Sequence, residues 1–207
     1  MSKGKNFSRN NAMKKRIESD FYQTPYCLTD EFVKAHLINR WEVDATIADF
    51  CSGDLAIQRV LHRYQYKTFS RDLIRTGNNF FDVDEEFEYG IMNPPFRLFN
   101  KWVEHCFKVF TKEFALLAPT TYQQGIGRFN AKGTGIFQNE DWLLSHVYTF
   151  NRYPMLSKEL RKDGKIETGM QALSWYVWTK LDRKYVNYTT LSFLDIDQYV
   201  LRKKDIV

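Results

Sequence analysis

Residues 46–72 read TIADFCSGDLAIQRVLHRYQYKTFSRD. The run Thr46–Phe50 is short and apolar, carries Asp49 near its end, and opens into the turn Cys51-Ser52-Gly53-Asp54. Ala56 to Tyr64 reads as a helix, and Lys67–Ser70 as a second strand that ends at Asp72. Strand, turn, helix and strand in about 27 residues is the repeating unit of a parallel sheet, because parallel strands need a long crossover between them.

The same alternation continues on both sides. Upstream, Asp20-Phe21-Tyr22-Gln23-Thr24-Pro25 is irregular, since Pro25 keeps Thr24 out of the helical region. Residues 28–40, LTDEFVKAHLINR, space apolar groups at helical intervals, with Thr29 as the expected N-cap. Downstream, a third strand is expected near Asn79–Asp82 and a fourth at Glu88–Met92, running into Asn93-Pro94-Pro95-Phe96. A helix over about 98–110 and a strand Phe114–Ala118, broken by Pro119, follow. Two extended runs, His146–Asn151 and Ala172–Thr179, close the pattern, and the second is aromatic and β-branched as a core strand should be. The expected fold is a mostly parallel α/β sheet with helices on both faces, with ligands at the carboxyl ends of the strands.

Composition narrows the class. With 43% hydrophobic and 27% charged residues among 207, the chain has the makeup of a globular protein rather than a disordered or fibrous one. No apolar run approaches the ~20 residues of a membrane span, and MSKGKNFSRNN lacks the apolar core of a secretory signal. Three separated cysteines, Cys27, Cys51 and Cys106, suit a reducing cytoplasm better than a disulfide framework. His36, His62, His105 and His146 lack metal-ligand spacing, so no metal site is expected. Residues 1–17 hold six basic groups and no acidic one, which leaves 24 basic against 25 acidic residues in the rest. Residues 1–19 therefore read as a flexible basic tail and 20–207 as a single domain. The polar loop 152–165 adds five basic and two acidic residues. Both segments suit phosphate contacts, and the plainer reading of the tail is a solvated terminus that only aids solubility.

The sharpest chemical signal is Asn93-Pro94-Pro95-Phe96. The two prolines fix φ twice and remove two backbone donors, leaving a stiff turn that offers acceptors. An exocyclic amino group can donate to the Asn93 side chain and the Pro94 carbonyl while its ring stacks on Phe96. The plainer reading of the same residues is a rigid strand-to-helix connector.

These residues resemble the S-adenosylmethionine-dependent amino-methyltransferases, particularly the N6-adenine DNA methyltransferases, whose catalytic motif has the form D/N/S-P-P-Y/F/W. Asp49–Asp54 is similar to their D-P-x-x-G-x-G cofactor loop, with Asp49, Cys51 and Gly53 on matching positions and Leu55 where the second glycine would fall. Asp72 stands where the family carboxylate binds the ribose, and Asn79-Phe80-Phe81-Asp82 is similar to the segment flanking the adenine. Asp20–Pro25, with Tyr22, Thr24 and Pro25, resembles the upstream cofactor motif. The resemblance spans about residues 20–120. It implies a Rossmann-like methyltransferase fold with a seven-stranded sheet whose last strand is antiparallel. It also implies S-adenosyl-L-methionine as cofactor, adenine in DNA as substrate, base flipping, and Asn93, Pro94, Pro95 and Phe96 as the catalytic set. No separate target-recognition domain is evident, which leaves three expectations open: low sequence specificity, recognition by loops 120–140 and 152–165, or a partner subunit.

Other readings stay open at this point. An RNA adenine or a protein glutamine amide suits the same motif. A catalytically weak nucleic-acid-binding subunit accommodates Leu55. A dinucleotide-binding βαβ unit accounts for Asp49, Gly53 and Asp72 but leaves Asn93–Phe96 unexplained. Cys51 and the string Trp175, Tyr176 and Trp178 read as packing residues.

Overall fold

The computed structural model describes residues 23–129, 135–137, 139–151, 171–181 and 189–194. Seven strands form one sheet: β1 Thr46–Asp49, β2 Lys67–Ser70, β3 Phe87–Met92, β4 Phe110–Pro119, β5 Trp142–Phe150, β6 Leu173–Lys180 and β7 Thr190–Leu194. Their spatial order is β2-β1-β3-β4-β6-β5-β7. Parallel pairing joins β2, β1, β3 and β4, and also β5 and β7, while β6 runs antiparallel to both β4 and β5. This is the Rossmann-like arrangement expected, with one difference in detail. The antiparallel strand is the aromatic run LSWYVWTK, and a parallel strand, β7, follows it at the sheet edge.

Two expected elements are corrected. Asn79–Asp82 is not a strand: Phe80–Asp82 forms a 3-10 turn, capped by the Asn79 side chain accepting the Phe81 amide at 3.3 Å. The capped turn satisfies locally the donors that a strand would offer to a neighbour, and β7 makes up the seventh strand instead. Thr29 is not an N-cap either. The first helix, α1 (Tyr26–Phe32), starts after Pro25, whose φ of −59° is already set for it, and Thr29 lies buried inside it. That helix runs through a π turn, Val33–Leu37, into α2 (Ile38–Arg40).

Two apolar layers cover the sheet, as alternation along the strands requires. On one face, Ile47, Ile91, Ala115, Leu117, Trp175 and Val177 meet Leu28, Phe32 and Leu37 of the first helical stretch and Ile57, Val60 and Leu61 of α3 (Ala56–Arg63). On the other, Ala48, Phe114, Leu116, Tyr176 and Trp178 meet Phe99, Trp102, Val103 and Cys106 of α4 (Phe99–Val109). Trp175, Tyr176 and Trp178 are fully buried and their polar atoms are spent on backbone carbonyls of Leu28, Pro119 and Ile136. The sheet approaches Phe110 so closely at Gly90 that a Cβ there would lie 2.2 Å from the Phe110 ring.

A buried polar knot joins the first helical stretch to β4, β5 and β6. His36 bridges the Tyr148 hydroxyl at 2.8 Å and Glu113 at 2.6 Å, and Trp41 and Thr179 donate to the same carboxylate. Burial alone would raise the Glu113 pKa, but these hydrogen bonds bring it below the usual value. His36 lies within the π turn. Among the described residues, no helix is long and apolar enough to cross a membrane.

Candidate active site

The strand order reverses at β1: β2 lies on one side and β3 on the other. Such a switch point leaves a crevice beyond the strand ends, because the two connections leave in opposite directions. A cleft of about 170 Å3 occupies this place, lined from β1 by Phe50 to Asp54, from β2 by Asp72 to Ile74, and from β3 by Asn93 and Pro95.

The loop after β1 is held by carboxylates. Asp49, 1% exposed, accepts the Cys51 amide at 3.0 Å through Oδ1. Asp72 accepts the Gly53 amide at 3.1 Å and the Ile74 amide at 2.8 Å, one on each oxygen. Gly53 takes a φ of +44°, the left-handed region that favours glycine. Burial pushes the Asp49 pKa up to about 7; the Cys51 amide opposes this and the Asp72 charge adds to it. Enclosure of the Cys51 sulfur, followed by the Asp49 and Asp72 charges, pushes its thiol well above the ordinary value, so it stays protonated and is no nucleophile.

On the opposite wall Asn93 donates from Nδ2 to the Thr24 hydroxyl at 3.0 Å. Pro94 is buried, Asn93, Pro95 and Phe96 are half-buried, and Phe96–Leu98 forms a 3-10 turn. That turn is pinned from both sides: Leu98 donates to the Pro95 carbonyl at 2.9 Å and the Tyr122 hydroxyl to the Phe96 carbonyl at 3.1 Å. The Phe96 ring meets the Tyr122 ring edge-on at 6.5 Å, and Arg128 lies over Tyr122 at 4.1 Å.

The structure therefore brings Thr24, Cys51, Gly53, Asp72, Asn79, Phe80, Asn93 and Pro95 to one cleft. Asp49 sits behind its β1 wall, Pro25 caps α1, and Pro94 and Phe96 lie beside the cleft rather than in its lining. Tyr22, the tail 1–19 and the loop 152–165 fall outside the described residues. Phe80 is 2% exposed and stacked on Trp102 at 4.6 Å, so it builds the wall without offering a free face. The half-buried Phe81 lines the cleft beside it.

Sequence reasoning missed Gln23, Leu73, Ile74, Arg97 and Trp102. Leu73 and Ile74 had a signal: an apolar pair directly after a loop carboxylate, here 60% and 63% exposed at the cleft. Arg97 follows the N-P-P-F motif directly and is exposed on the rim, with no hydrogen-bond or carboxylate partner among the described residues. Trp102 carried no signal apart from its place in a core helix.

Two buried acceptors in this region lack a donor: Gln23 Oε1, in the cleft lining, and Asp49 Oδ2. Orphaned acceptors beside a cleft call for a ligand that brings hydrogen-bond donors or positive charge. The exposed apolar pair Leu73 and Ile74 calls for a flat apolar group next to the Asp72 carboxylate. A cationic amino acid joined to a nucleoside, as in S-adenosylmethionine, carries both, and the residues fit it.

No protein-family model matches this sequence, and no curated protein matches it. Solved structures share its fold. A type I restriction-modification methyltransferase subunit from Streptococcus thermophilus aligns with a TM-score of 0.57 at 13% identity, over 89% of this chain and 51% of that one. A candidate class I S-adenosylmethionine-dependent methyltransferase from Listeria monocytogenes gives 0.52 at 12% identity, over 83% and 65%. A candidate RNA methyltransferase from Pyrococcus horikoshii gives 0.51 at 14% identity, over 79% and 89%. This chain thus spans about half and about two-thirds of the first two proteins. The likeness defines the fold, which is the Rossmann-like methyltransferase fold.

Proposed function

We propose that this protein transfers a methyl group from S-adenosylmethionine to the exocyclic N6 amino group of adenine in DNA. One observation carries the reading: Asn93-Pro94-Pro95-Phe96 leaves β3 on the wall facing the Gly53 loop and Asp72, across the switch-point cleft. A rigid acceptor turn and a nucleoside-sized cleft are both required for amino methylation, and here they share Asn93.

Asp72 receives the ribose hydroxyls, Leu73 and Ile74 the adenine face, and Gln23 the positive amino-acid end of the donor, with the Asp49 charge behind the β1 wall favouring that end from a distance. The donor, when bound, supplies an electrophilic methyl on sulfur. The adenine amine is a poor nucleophile because its lone pair is delocalised into the ring. Asn93 Oδ1 and the Pro94 carbonyl accept its two hydrogens, which favours a tetrahedral nitrogen and stabilises the positive charge that develops on it. The base reaches this turn only when flipped out of a duplex, and the part of Phe96 left in solvent stacks on it. Arg97 on the rim and the basic residues of segment 1–19 serve the backbone phosphates. Residues 20–207 act as one methyltransferase domain. The shared fold with a restriction-modification subunit supports a partner that supplies target recognition.

The test is methyl transfer from labelled S-adenosylmethionine to DNA, RNA and protein in parallel, followed by sequencing that reports modified adenines. Label in DNA at N6-methyladenine supports the reading. Label confined to RNA or to a glutamine amide replaces the substrate, and no label with measurable cofactor binding favours the binding-subunit alternative.

A further inference from the structure

We propose that Tyr122 is a positioning residue for Phe96: its hydroxyl and its ring hold the Phe96 ring in the orientation in which it stacks on the target base. The proposal rests on the amino-methyl transfer reading above. It gives a residue of loop 120–140 a task inside the protein rather than on the nucleic acid.

An aromatic side chain stacks well only when its plane is set in advance, because ordering it when the base arrives costs entropy. The N-P-P-F turn has few means of setting it. Pro94 and Pro95 lack an N–H, so neither can donate a bond that ties the turn to its surroundings. Within the turn, the Leu98 amide donates to the Pro95 carbonyl at 2.9 Å and the Phe99 amide to the Phe96 carbonyl. Tyr122 adds a tie from the segment after β4: its hydroxyl donates to the Phe96 carbonyl at 3.1 Å. A carbonyl oxygen only accepts, so the direction of this bond is fixed. The Tyr122 ring then meets the half-buried Phe96 ring edge-on, with centroids 6.5 Å apart and planes at 72°. One residue thus bounds both the backbone and the ring of Phe96.

Tyr122 is held in its turn. Its ring stands edge-on to the buried Phe99 at 5.2 Å, and the Arg128 guanidinium covers its face at 4.1 Å. Arg128 donates from Nε to Asn100 Oδ1 at 3.2 Å and from Nη1 to the Gln124 carbonyl at 2.7 Å. Just upstream, the Thr120 amide donates to the Ala172 carbonyl at 2.9 Å, and the Thr120 carbonyl accepts the Tyr176 hydroxyl at 3.1 Å. Tyr176 is fully buried in β6. A chain of contacts therefore runs from β6 through Thr120 and Tyr122 to Phe96.

Phenylalanine at 122 keeps the ring and removes the hydroxyl; leucine at 96 keeps apolar bulk and removes the ring to be oriented. With labelled S-adenosylmethionine and adenine-containing duplex DNA, Y122F should lower kcat by about fivefold, the range of one neutral hydrogen bond. Its S-adenosylmethionine affinity, read by calorimetry, should stay within twofold. In an F96L background the Y122F change should cost less than twofold in kcat, because no ring is left to orient. Unchanged kcat in Y122F overturns the proposal. So does a parallel fall in kcat and cofactor affinity, which makes Tyr122 a support for the whole cleft, and so does a fivefold loss that persists with F96L, which makes its role packing. If wild-type protein transfers no label to any acceptor, the reading of the site falls; a normal Y122F beside an active wild type defeats the positioning role alone.

Discussion

The Gly53 amide donates to Asp72 Oδ2 at 3.1 Å, which ties the loop after β1 to the segment after β2 on one wall of the cleft. Asp72 also accepts the Ile74 amide, so its carboxylate arranges both segments before any ligand arrives. Hydrogen bonds to a charged group are worth about 1.5–3 kcal/mol each. Asp72→Ala should therefore lose at least tenfold in S-adenosylmethionine affinity and about 2–4 kcal/mol of stability, read by calorimetry and urea unfolding. An alanine variant with wild-type cofactor affinity would move the nucleoside away from this carboxylate.

Asn93→Ala separates chemistry from binding. The side chain lines the cleft at the acceptor turn, while the residues proposed to hold the nucleoside of the donor, Asp72, Leu73 and Ile74, belong to the segment after β2. Losing one preorganised hydrogen bond at a reacting centre costs about 2.7–4 kcal/mol of barrier, or 10²–10³ in rate. Transfer to DNA should fall by about that factor, with S-adenosylmethionine affinity within a few-fold of wild type. Near-normal turnover on saturating DNA would remove the motif from the mechanism.

The β-α-β unit at 46–72 was legible because a short apolar run, a glycine turn and a helical period follow one another without ambiguity. Lys67–Ser70 and Ala56–Arg63 fall where the sequence puts them. Asn79–Asp82 was not, because Phe80 and Phe81 look like strand residues while their burial serves Trp102 and His105 across a 3-10 turn. β7 went unseen because Thr190–Leu194 is a short edge strand whose pairing partner, β5, lies about 45 residues away. In the cleft, residues announced by turns and prolines were legible. Gln23 and Arg97 sit in or beside the motifs but carry no residue type that marks them, and Trp102 reaches the site only through the fold. The bond between Thr24 and Asn93 is a case of the same kind: two motif residues, each visible alone, whose contact no spacing rule predicts.

Asp49 predicts opposite pH dependences for stability and for cofactor binding. Its pKa stands near 7 in the fold against an ordinary 3.8, chiefly through burial. A carboxyl whose folded pKa is raised is neutral at no cost below pH 4, and its stability contribution is lost as pH rises from there to about 7. At 1.36 kcal/mol per unit the loss reaches at most roughly 4 kcal/mol. Asp49→Asn should be more stable than wild type at pH 8, with the difference vanishing near pH 4, as urea unfolding at several pH values would show. A cationic ligand favours the ionised form, so wild-type affinity for S-adenosylmethionine should tighten as pH rises through about 7, and the asparagine variant should lose that dependence. A pH-independent stability difference would place the effect of Asp49 outside its ionisation.

Leu55 stands where the cofactor-loop pattern has its second glycine, and the structure shows what that position demands. Its φ and ψ are 63° and 25°, the left-handed region, at the entry to α3. The loop forces this conformation from both sides: the Leu55 amide donates to the Ser52 carbonyl at 2.7 Å, and its carbonyl accepts the Arg59 amide at 2.9 Å. A residue with a Cβ bears about 1–2 kcal/mol there. Glycine bears none of that cost but loses about 0.5–1 kcal/mol to chain entropy. Leu55→Gly should thus change stability by less than about 1 kcal/mol, whereas Leu55→Val, branched at Cβ, should lose about 2 kcal/mol. The cleft lining passes from Asp54 to Ala56 without the Leu55 side chain, so cofactor affinity in the glycine variant should stay within threefold of wild type. Thermal unfolding and calorimetry on the two variants check this. A tenfold gain in affinity with glycine would mean that the leucine obstructs the ligand, and a stable valine variant would mean that the turn is free to relax.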